Sequence, residues 1–303
     1  MRVGITGATG LIGSALISQL RGEGHHIFPI RRSGLPAGDA VVWDPSSGEL
    51  AGGPLSEGLD AVVHLAGENV AAGRWTPALR NRIYDSRGPA TSRLCGHLAE
   101  MAHPPTVLVS ASAVGYYGSQ GNTLLTEESS PGTDFLAGVC RAWEEGTRAA
   151  SDAGIRVAHL RTGIVLSASG GPLAKMLPMF RLGLGGPLGD GNQWMSWIAL
   201  DDLTAAIQLI LERSDLHGAV NLVAPNPVRN REFAEAVGRA VGRPARLATP
   251  AFALRMALGR EMADSLLLAS QRVLPTRLLH SGFRFRRPEL DEALRAALEL
   301  LHR

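Results

Sequence analysis

Short apolar runs alternate with longer amphipathic stretches through the first 160 residues. Runs at 2–6, 26–30, 61–65, 106–110 and 156–160 are too short for helices and rich in Val, Ile and Leu. Turn residues precede the later ones: Gly24, Gly58 with Asp60, Pro104-Pro105, and Gly154. Such runs read as buried strands. Between them the period becomes that of a helix. Leu11, Ile12, Ala15, Leu16 and Leu20 form one face over 11–21, Leu94, Leu98 and Met101 share a side of 90–101, and a third helix is expected over 136–151. Strand and helix in alternation specify an α/β fold, a doubly wound parallel sheet.

From about residue 166 the rhythm loosens. Gly170-Gly171 and the glycine-rich stretch 183–191 separate a helix at 173–181 from an apolar run at 194–200. Asp201 is placed to cap a helix through Leu211, residues 219–223 read as a strand, and Pro225-Asn226-Pro227 precedes a helix from Asn230. Beyond Pro244 the chain turns to Leu, Ala and Arg, in helical pieces broken at Pro275 and Pro288. A small, mainly helical C-terminal lobe is expected over 226–303, with the main domain over 1–225.

Composition narrows the function. The net charge is +2 and the basic residues are scattered, so neither a nucleic-acid surface nor a polybasic membrane patch is expected. No run reaches the roughly 18 apolar residues of a membrane span, and residues 1–7 lack a secretory pattern, so a cytoplasmic protein is expected. Cys95 and Cys140 stand far apart, without C-x-x-C, which excludes a disulfide framework and a cysteine zinc cage. No His, Asp or Glu group has metal-ligand spacing, so no metal is expected.

The most specific local signal is Thr6-Gly7-Ala8-Thr9-Gly10-Leu11-Ile12-Gly13, between the first strand and the first helix. There Gly7 permits a tight turn, Gly10 lets backbone approach a pyrophosphate, and Gly13 lets helix and strand pack closely. The free N–H groups of the helix end face the anion, and Thr9, Leu11 and Ile12 belong to the same surface. The blander alternative is a merely tight turn; strand, glycines and helix in this order favour a dinucleotide. At the end of the second strand stand Arg31, Arg32 and Ser33, with no carboxylate before Asp39. Two guanidinium groups and a hydroxyl suit a 2′-phosphate, so NADP(H) is expected rather than NAD. The alternative is a solvated arginine pair.

The third strand ends in His64-Leu65-Ala66-Gly67-Glu68-Asn69 and the fourth in Ser110-Ala111-Ser112-Ala113-Val114-Gly115-Tyr116-Tyr117-Gly118. Ligands of doubly wound sheets bind at such carboxyl ends, which adds Leu65, Ala66, Gly67, Glu68, Ser110 and Ala111 to the candidate cofactor residues. With the glycine loop and Asp201-Asp202, the chain resembles an extended short-chain dehydrogenase/reductase of the NAD-dependent epimerase/dehydratase group. More narrowly, Asp85-Ser86-Arg87, Arg161-Thr162-Gly163-Ile164-Val165-Leu166, Leu182-Gly183-Leu184-Gly185-Gly186 and Gln271-Arg272-Val273-Leu274-Pro275 with Gly282-Phe283 resemble its poorly characterised epimerase-family subgroup, also labelled sugar nucleotide epimerase-like. The resemblance implies a Rossmann domain binding NADP over 1–225, substrate-side insertions from about 166, and a short C-terminal domain from about 250. It implies no known substrate. It would bring Arg87 to the cofactor's phosphate side and the Ile164-Val165 backbone to the nicotinamide; the alternatives are a surface arginine and ordinary packing.

Two departures from that family bear on chemistry. Its active members use a Tyr-x-x-x-Lys pair. Here the only lysine is Lys175, with Gly171 four residues before it, and residues 135–144 hold neither tyrosine nor lysine. Ser112 remains as the residue expected to polarise a reacting oxygen, and Tyr116 as a proton relay, unless Tyr116 and Tyr117 are packing residues. Met195 stands where epimerase relatives carry a diphosphate-gripping arginine, with Trp194 and Trp197 beside it. The leading expectation is an NADP(H)-dependent oxidoreductase acting on a small carbonyl or alcohol. A catalytically silent NADPH-binding protein is the alternative, and a nucleotide-sugar epimerase comes third. The expected partner is a small-molecule substrate, with a homodimer left open.

Overall fold

A computed structural model of the chain describes residues 1–32, 40–52, 55 and 58–299. Its main sheet contains β1 (Arg2–Thr6), β2 (His26–Arg31), β3 (Val41–Trp43), β4 (Leu50–Ala51), β5 (Ala61–His64), β6 (Val107–Ala113), β7 (Arg156–Thr162) and β8 (Gly218–Leu222). The order across the sheet is β8-β7-β6-β5-β1-β2-β3-β4, and every pairing is parallel except that of β3 with β4. The chain leaves β1 toward β2 on one side and resumes with β5 on the other, so the switch point of this Rossmann-like sheet lies between β1 and β5.

Strand alternation divides the core. Val3, Ile5, Val63, Val109 and Leu160 meet Leu16 and Leu20 of α1 (Leu11–Gly22) on one face. Phe28, Val62, Leu108 and Val157 meet Leu94 and Leu98 on the other, from a helix that follows α2 (Pro77–Asp85) and is numbered α3 (Gly88–Glu100). The helix expected over 136–151 is two, α4 (Phe135–Glu145) and α5 (Arg148–Asp152). The break at Gly146-Thr147 has two causes. A Cβ at Gly146 would stand 2.8 Å from the Gly88 carbonyl oxygen of α3, and the Thr147 hydroxyl donates to the Glu144 carbonyl at 2.7 Å.

A second core joins α6 (Gly171–Arg181), α8 (Asn230–Ala240) and the last helix, Leu290–Glu299, through Leu173, Leu177, Phe180, Phe233, Val237 and Leu294. Between them α7 (Leu200–Glu212) packs its Ile207 and Ile210 with α1. Asp201 does not cap α7: the helix begins one residue earlier, Ala199 occupies the cap without a side-chain bond, and the Asp201 carboxylate accepts from the Asp202 N–H at 3.0 Å. Buried Asp202 instead accepts the backbone N–H groups of Arg286 at 2.7 Å and Arg287 at 3.0 Å. The helical pieces expected near the C-terminus are present, and the short strand Arg272–Val273 returns to pair with Leu124–Leu125. Among the described residues no helix is long and apolar enough to cross a membrane.

Candidate cofactor site and polar network

The glycine loop is sterically exacting. Gly7 has φ 66°, and a Cβ there would lie 2.9 Å from the Leu65 carbonyl carbon; one at Gly13 would lie 2.3 Å from the Gly7 oxygen. Thr6 and His64 pair across the sheet, and the Thr6 hydroxyl accepts the N–H groups of Leu65 at 3.0 Å and Ala66 at 3.1 Å, fixing the end of β5 against the loop. His64 is a satisfied core histidine, bonded to Thr6 at 2.8 Å and Thr91 at 3.0 Å, and burial pushes its pKa down to about 4. Gly10 caps α1 without a side-chain bond, and Thr9 and Gly10 are exposed, so the first-turn N–H groups of α1 stand open.

Thr6 also pairs with Ile30 of β2, which sets exposed Arg31 one residue beyond, alongside Gly7 in register, with exposed Arg32 next. Ser33 lies outside the described residues. Gly67 leaves room for Arg87: a Cβ there would be 3.1 Å from the guanidinium carbon. Arg87 lies 4.8 Å from the Trp143 ring centroid and donates to the Ile83 carbonyl at 3.3 Å; burial lowers its pKa. The Glu68 N–H donates to Ser86 at 2.9 Å, tying the end of β5 to the start of α3. A Cβ at Gly171 would lie 3.3 Å from the Leu11 side chain and 3.7 Å from the Val165 oxygen, so Leu11, Val165 and the start of α6 converge, while Ile12 is half-buried. Ser110 is buried and Ala111 half-buried on β6.

A polar network occupies the place where the Tyr-x-x-x-Lys pair is missing. The Ser112 hydroxyl donates to Glu144 Oε1 at 2.8 Å. Arg161, on β7 and paired in register with Ser112, donates from Nε to the same oxygen and from Nη2 to Oε2, both at 2.9 Å. Its Nη1 donates to the Tyr117 hydroxyl and to the Glu127 carbonyl, each at 3.1 Å, and Tyr117 donates to Asn221 Oδ1 at 2.7 Å. The ion-paired side chains are only 5 % and 12 % exposed for Arg161 and Glu144. Burial opposes the charge on Arg161, but the bonds and charge of Glu144 outweigh it and raise the guanidinium pKa. Burial pushes Tyr117 up to about 12.

The two tyrosines therefore differ. Tyr117 is fully buried with its hydroxyl engaged, while half-buried Tyr116 lies with its ring 3.5 Å from the Arg161 guanidinium carbon, and its hydroxyl has no partner among the described residues. Tyr116 opens on a cleft of about 600 Å³ shared with Arg141, Ala142, Glu144, Glu145 and His159. Burial lowers the pKa of His159, whose Nε2 meets the Thr147 hydroxyl at 2.9 Å.

Glu144, Asn221 and Glu127 were not singled out from the sequence, and Arg161 was named only within the 161–166 motif, without a role. Arg161 offered one signal, a charged residue inside an apolar strand run. Lys175 is exposed on α6, Trp197 is core, and Met195 packs its sulfur 3.0 Å from the Asn230 amide. Glu23, His25 and Glu212 place ligand atoms within 4.8 Å of one another, a grouping that spacing along the chain does not reveal because Glu212 comes from α7.

Residues 3–223 match the model of the NAD dependent epimerase/dehydratase family, and residues 249–297 match a domain of unknown function, DUF1731. The chain belongs to the NAD dependent epimerase/dehydratase family. Within this family it is 44 % identical to epimerase family protein Mb2239 of Mycobacterium bovis over 292 residues, 96 % of each chain. It is 37 % identical to human epimerase family protein SDR39U1 over 299 residues, 97 % of this chain and 99 % of that one. The crystal structure of the human protein, isoform 2 with NADPH, superposes with a TM-score of 0.90 and 35 % identity over 99 % of both chains. The structure of a nucleoside-diphosphate sugar epimerase from Corynebacterium glutamicum gives 0.80 at 39 % identity, over 98 % of this chain and 57 % of that one.

Proposed function

We propose that this family member binds NADP(H) and is an oxidoreductase acting on a small, apolar carbonyl or alcohol. One observation carries the cofactor: two glycines that tolerate no Cβ set the uncapped end of α1 alongside Arg31, with Arg32 beyond it. The residues fit the group. Gly7, Thr9, Gly10, Leu11 and Ile12 would hold the pyrophosphate, and Arg31, Arg32 and Ser33 the 2′-phosphate. Leu65, Ala66, Gly67, Glu68, Arg87, Ser110, Ala111 and Val165 would hold the remainder. The NADPH in the human relative's structure supports this assignment. Residues 1–225 would form the cofactor domain, with the insertions from about 166 and the lobe over 226–303 closing the substrate side. Cys95 and Cys140 are buried free thiols, which fits a reducing compartment such as the cytoplasm.

When bound, the cofactor supplies or accepts hydride. What remains for the protein is to orient the substrate oxygen and handle its proton. Tyr116 is suited to donate, because it lines the cleft and its hydroxyl has no partner among the described residues. Ser112 spends its proton on Glu144, so its oxygen is free to accept from a substrate hydroxyl, and it donates to a carbonyl only by releasing Glu144. That same bond favours a second reading, a protein that binds the cofactor without turnover.

The test is a paired titration with NADPH and NADH on the wild type and on Arg31→Ala/Arg32→Ala, followed by a spectroscopic screen of carbonyl compounds. At least tenfold preference for NADPH that collapses in the variant is expected. Equal affinities, or no binding, overturn the cofactor assignment. Full turnover by Ser112→Ala removes Ser112 from the chemistry, and a screen without turnover leaves the silent reading standing.

A further inference from the structure

Outside the cofactor cradle and the polar network, Arg229 and Arg272 meet at one tryptophan ring, and among the described residues neither guanidinium forms an ion pair with a carboxylate. Trp194 lies between the loop that follows Tyr117 and the segment that returns from the C-terminal lobe. Its backbone N–H donates to the Ser270 hydroxyl at 3.0 Å, and its carbonyl accepts from the Gln271 N–H at 3.0 Å. Two guanidinium groups pack on its ring, with Cζ of Arg229 4.2 Å and Cζ of Arg272 4.4 Å from the centroid, which holds the cations within about 9 Å of each other. Cation–π attraction stabilises each of them against the indole, but it neutralises neither.

Their remaining partners are all neutral. Arg229 donates from Nη2 to Asn122 Oδ1 at 2.9 Å and from Nη1 to the Asn192 carbonyl. Asn122 Oδ1 also accepts the Trp194 indole N–H at 3.1 Å, so one amide fixes ring and guanidinium together. The nearest carboxylate in sequence, Glu232, is taken up by the backbone N–H of Arg229 at 2.6 Å. Arg272 has five N–H donors, and none meets an acceptor among the described residues; its Nε is buried there. Its two Nη groups, unlike Nε, are not buried, so their N–H donors are open to an acceptor from outside the chain. The cluster also reaches toward the polar network: the side chain of Gln271, adjacent to Arg272, donates to the Val114 carbonyl at 3.1 Å, two residues from both Ser112 and Tyr116.

We propose that Arg229 and Arg272, held around Trp194, bind the phosphoryl group of a small molecule. Two fixed cations call for a dianion, and a tetrahedral phosphoryl group offers several acceptor oxygens to forked guanidinium donors. A carboxylate brings one charge and two oxygens. The site shares no residue with the dinucleotide loop, and binding there does not depend on turnover.

The test follows the five tryptophan indole N–H signals of the full chain by 1H–15N NMR, with Trp194→Phe assigning the signal of interest. Inorganic phosphate or pyrophosphate should shift the Trp194 signal saturably, beyond the effect of sodium chloride at equal ionic strength, and acetate should not. Arg272→Gln and Arg229→Gln should each weaken the response at least tenfold, and Arg272→Lys should recover part of it, while the other four indole signals stay in place and report an intact fold. A Trp194 signal that follows ionic strength alone overturns the proposal. So does an equal response to acetate, or an Arg272→Gln variant that titrates like the wild type.

Discussion

Replacing Glu144 with glutamine tests whether the polar network is a sealed ion pair or a wet surface feature. The change keeps the shape of the side chain but removes its charge. Arg161, whose side chain is 5 % exposed, keeps its own charge and is left with only the Tyr117 hydroxyl and the Glu127 carbonyl as certain acceptors. The two 2.9 Å bonds to the carboxylate cannot both survive, since a glutamine amide turns a donor toward one guanidinium nitrogen. Removing one partner of a buried pair costs about 3–5 kcal/mol, and the residual exposure of Glu144 places this case near the lower end, about 3–4 kcal/mol. At roughly 2–4 °C per kcal/mol for a domain of this size, the melting temperature should fall by roughly 6–16 °C. Urea denaturation at pH 7 measures the loss directly. Arg148→Ala is the internal control, because its 2.9 Å pair with Glu145 is 72 % and 68 % exposed, is screened by solvent, and should leave the urea midpoint unchanged. Adding Arg161→Met to Glu144→Gln should recover stability, since it removes the stranded charge. A Glu144→Gln cost below about 1 kcal/mol would show that water reaches Arg161, and the network would lose its standing as a low-dielectric site.

Other expectations follow from the same geometry. Gly13→Ala should weaken NADPH binding at least a hundredfold by isothermal titration, because its Cβ would meet the Gly7 oxygen at 2.3 Å; an unchanged affinity would mean that loop packing is not what shapes the site. Tyr116→Phe should leave stability within about 0.5 kcal/mol while cutting turnover of any substrate found, whereas Tyr117→Phe should cost about 1–2 kcal/mol by losing its bonds to Asn221 and Arg161, as read by thermal melts. Reversal of that order would exchange their roles. Burial holds the folded-state pKa of His64 at about 4, below the roughly 6.5 of an unfolded histidine, so the unfolded chain takes up a proton that the folded chain refuses. This contribution is intact above pH 6.5 and is lost as pH falls toward 4, by about 3 kcal/mol in all, with His159 acting in the same direction. His64→Asn should flatten the dependence of urea stability on pH between 7 and 5, and an equally steep dependence in the variant would place its origin elsewhere.

Local pattern revealed the elements that carry their own signal. Strands β1, β2 and β5 to β7 each contain a short apolar run, and α1 is an unbroken apolar face, so their period is visible without tertiary context. Strands β3 and β4 are three and two residues long, too short for any period to register. The break between α4 and α5 depends on how closely α3 passes Gly146, and the start of α7 on an uncapped Ala199; neither is a property of the local sequence. In the site, the glycine loop was legible because strand, glycines and helix are consecutive. The Ser112–Glu144–Arg161 network was not, since it joins β6, α4 and β7 across the sheet, and a lone Glu or Arg looks alike on a surface and in a buried pair. The arginine pair around Trp194 was hidden for the same reason: Arg229 and Arg272 are 43 positions apart and meet only through the ring.

The segment that returns from the far end of the chain is sewn into the sheet domain at several points. Arg272–Val273 lies alongside Leu124–Leu125, the backbone N–H of Arg277 donates to Glu127 at 3.2 Å, and Asp202 holds the backbone of Arg286 and Arg287. Two family models match this chain, over 3–223 and 249–297, yet the stretch between them is not a seam where the molecule comes apart. Exchanging the stretch after residue 249 between relatives would transplant half of each of these attachments and orphan the other half. Recombination should therefore succeed only when Asp202, Glu127 and the 124–125 strand travel with it, and the two stretches should vary in concert, as one heritable block.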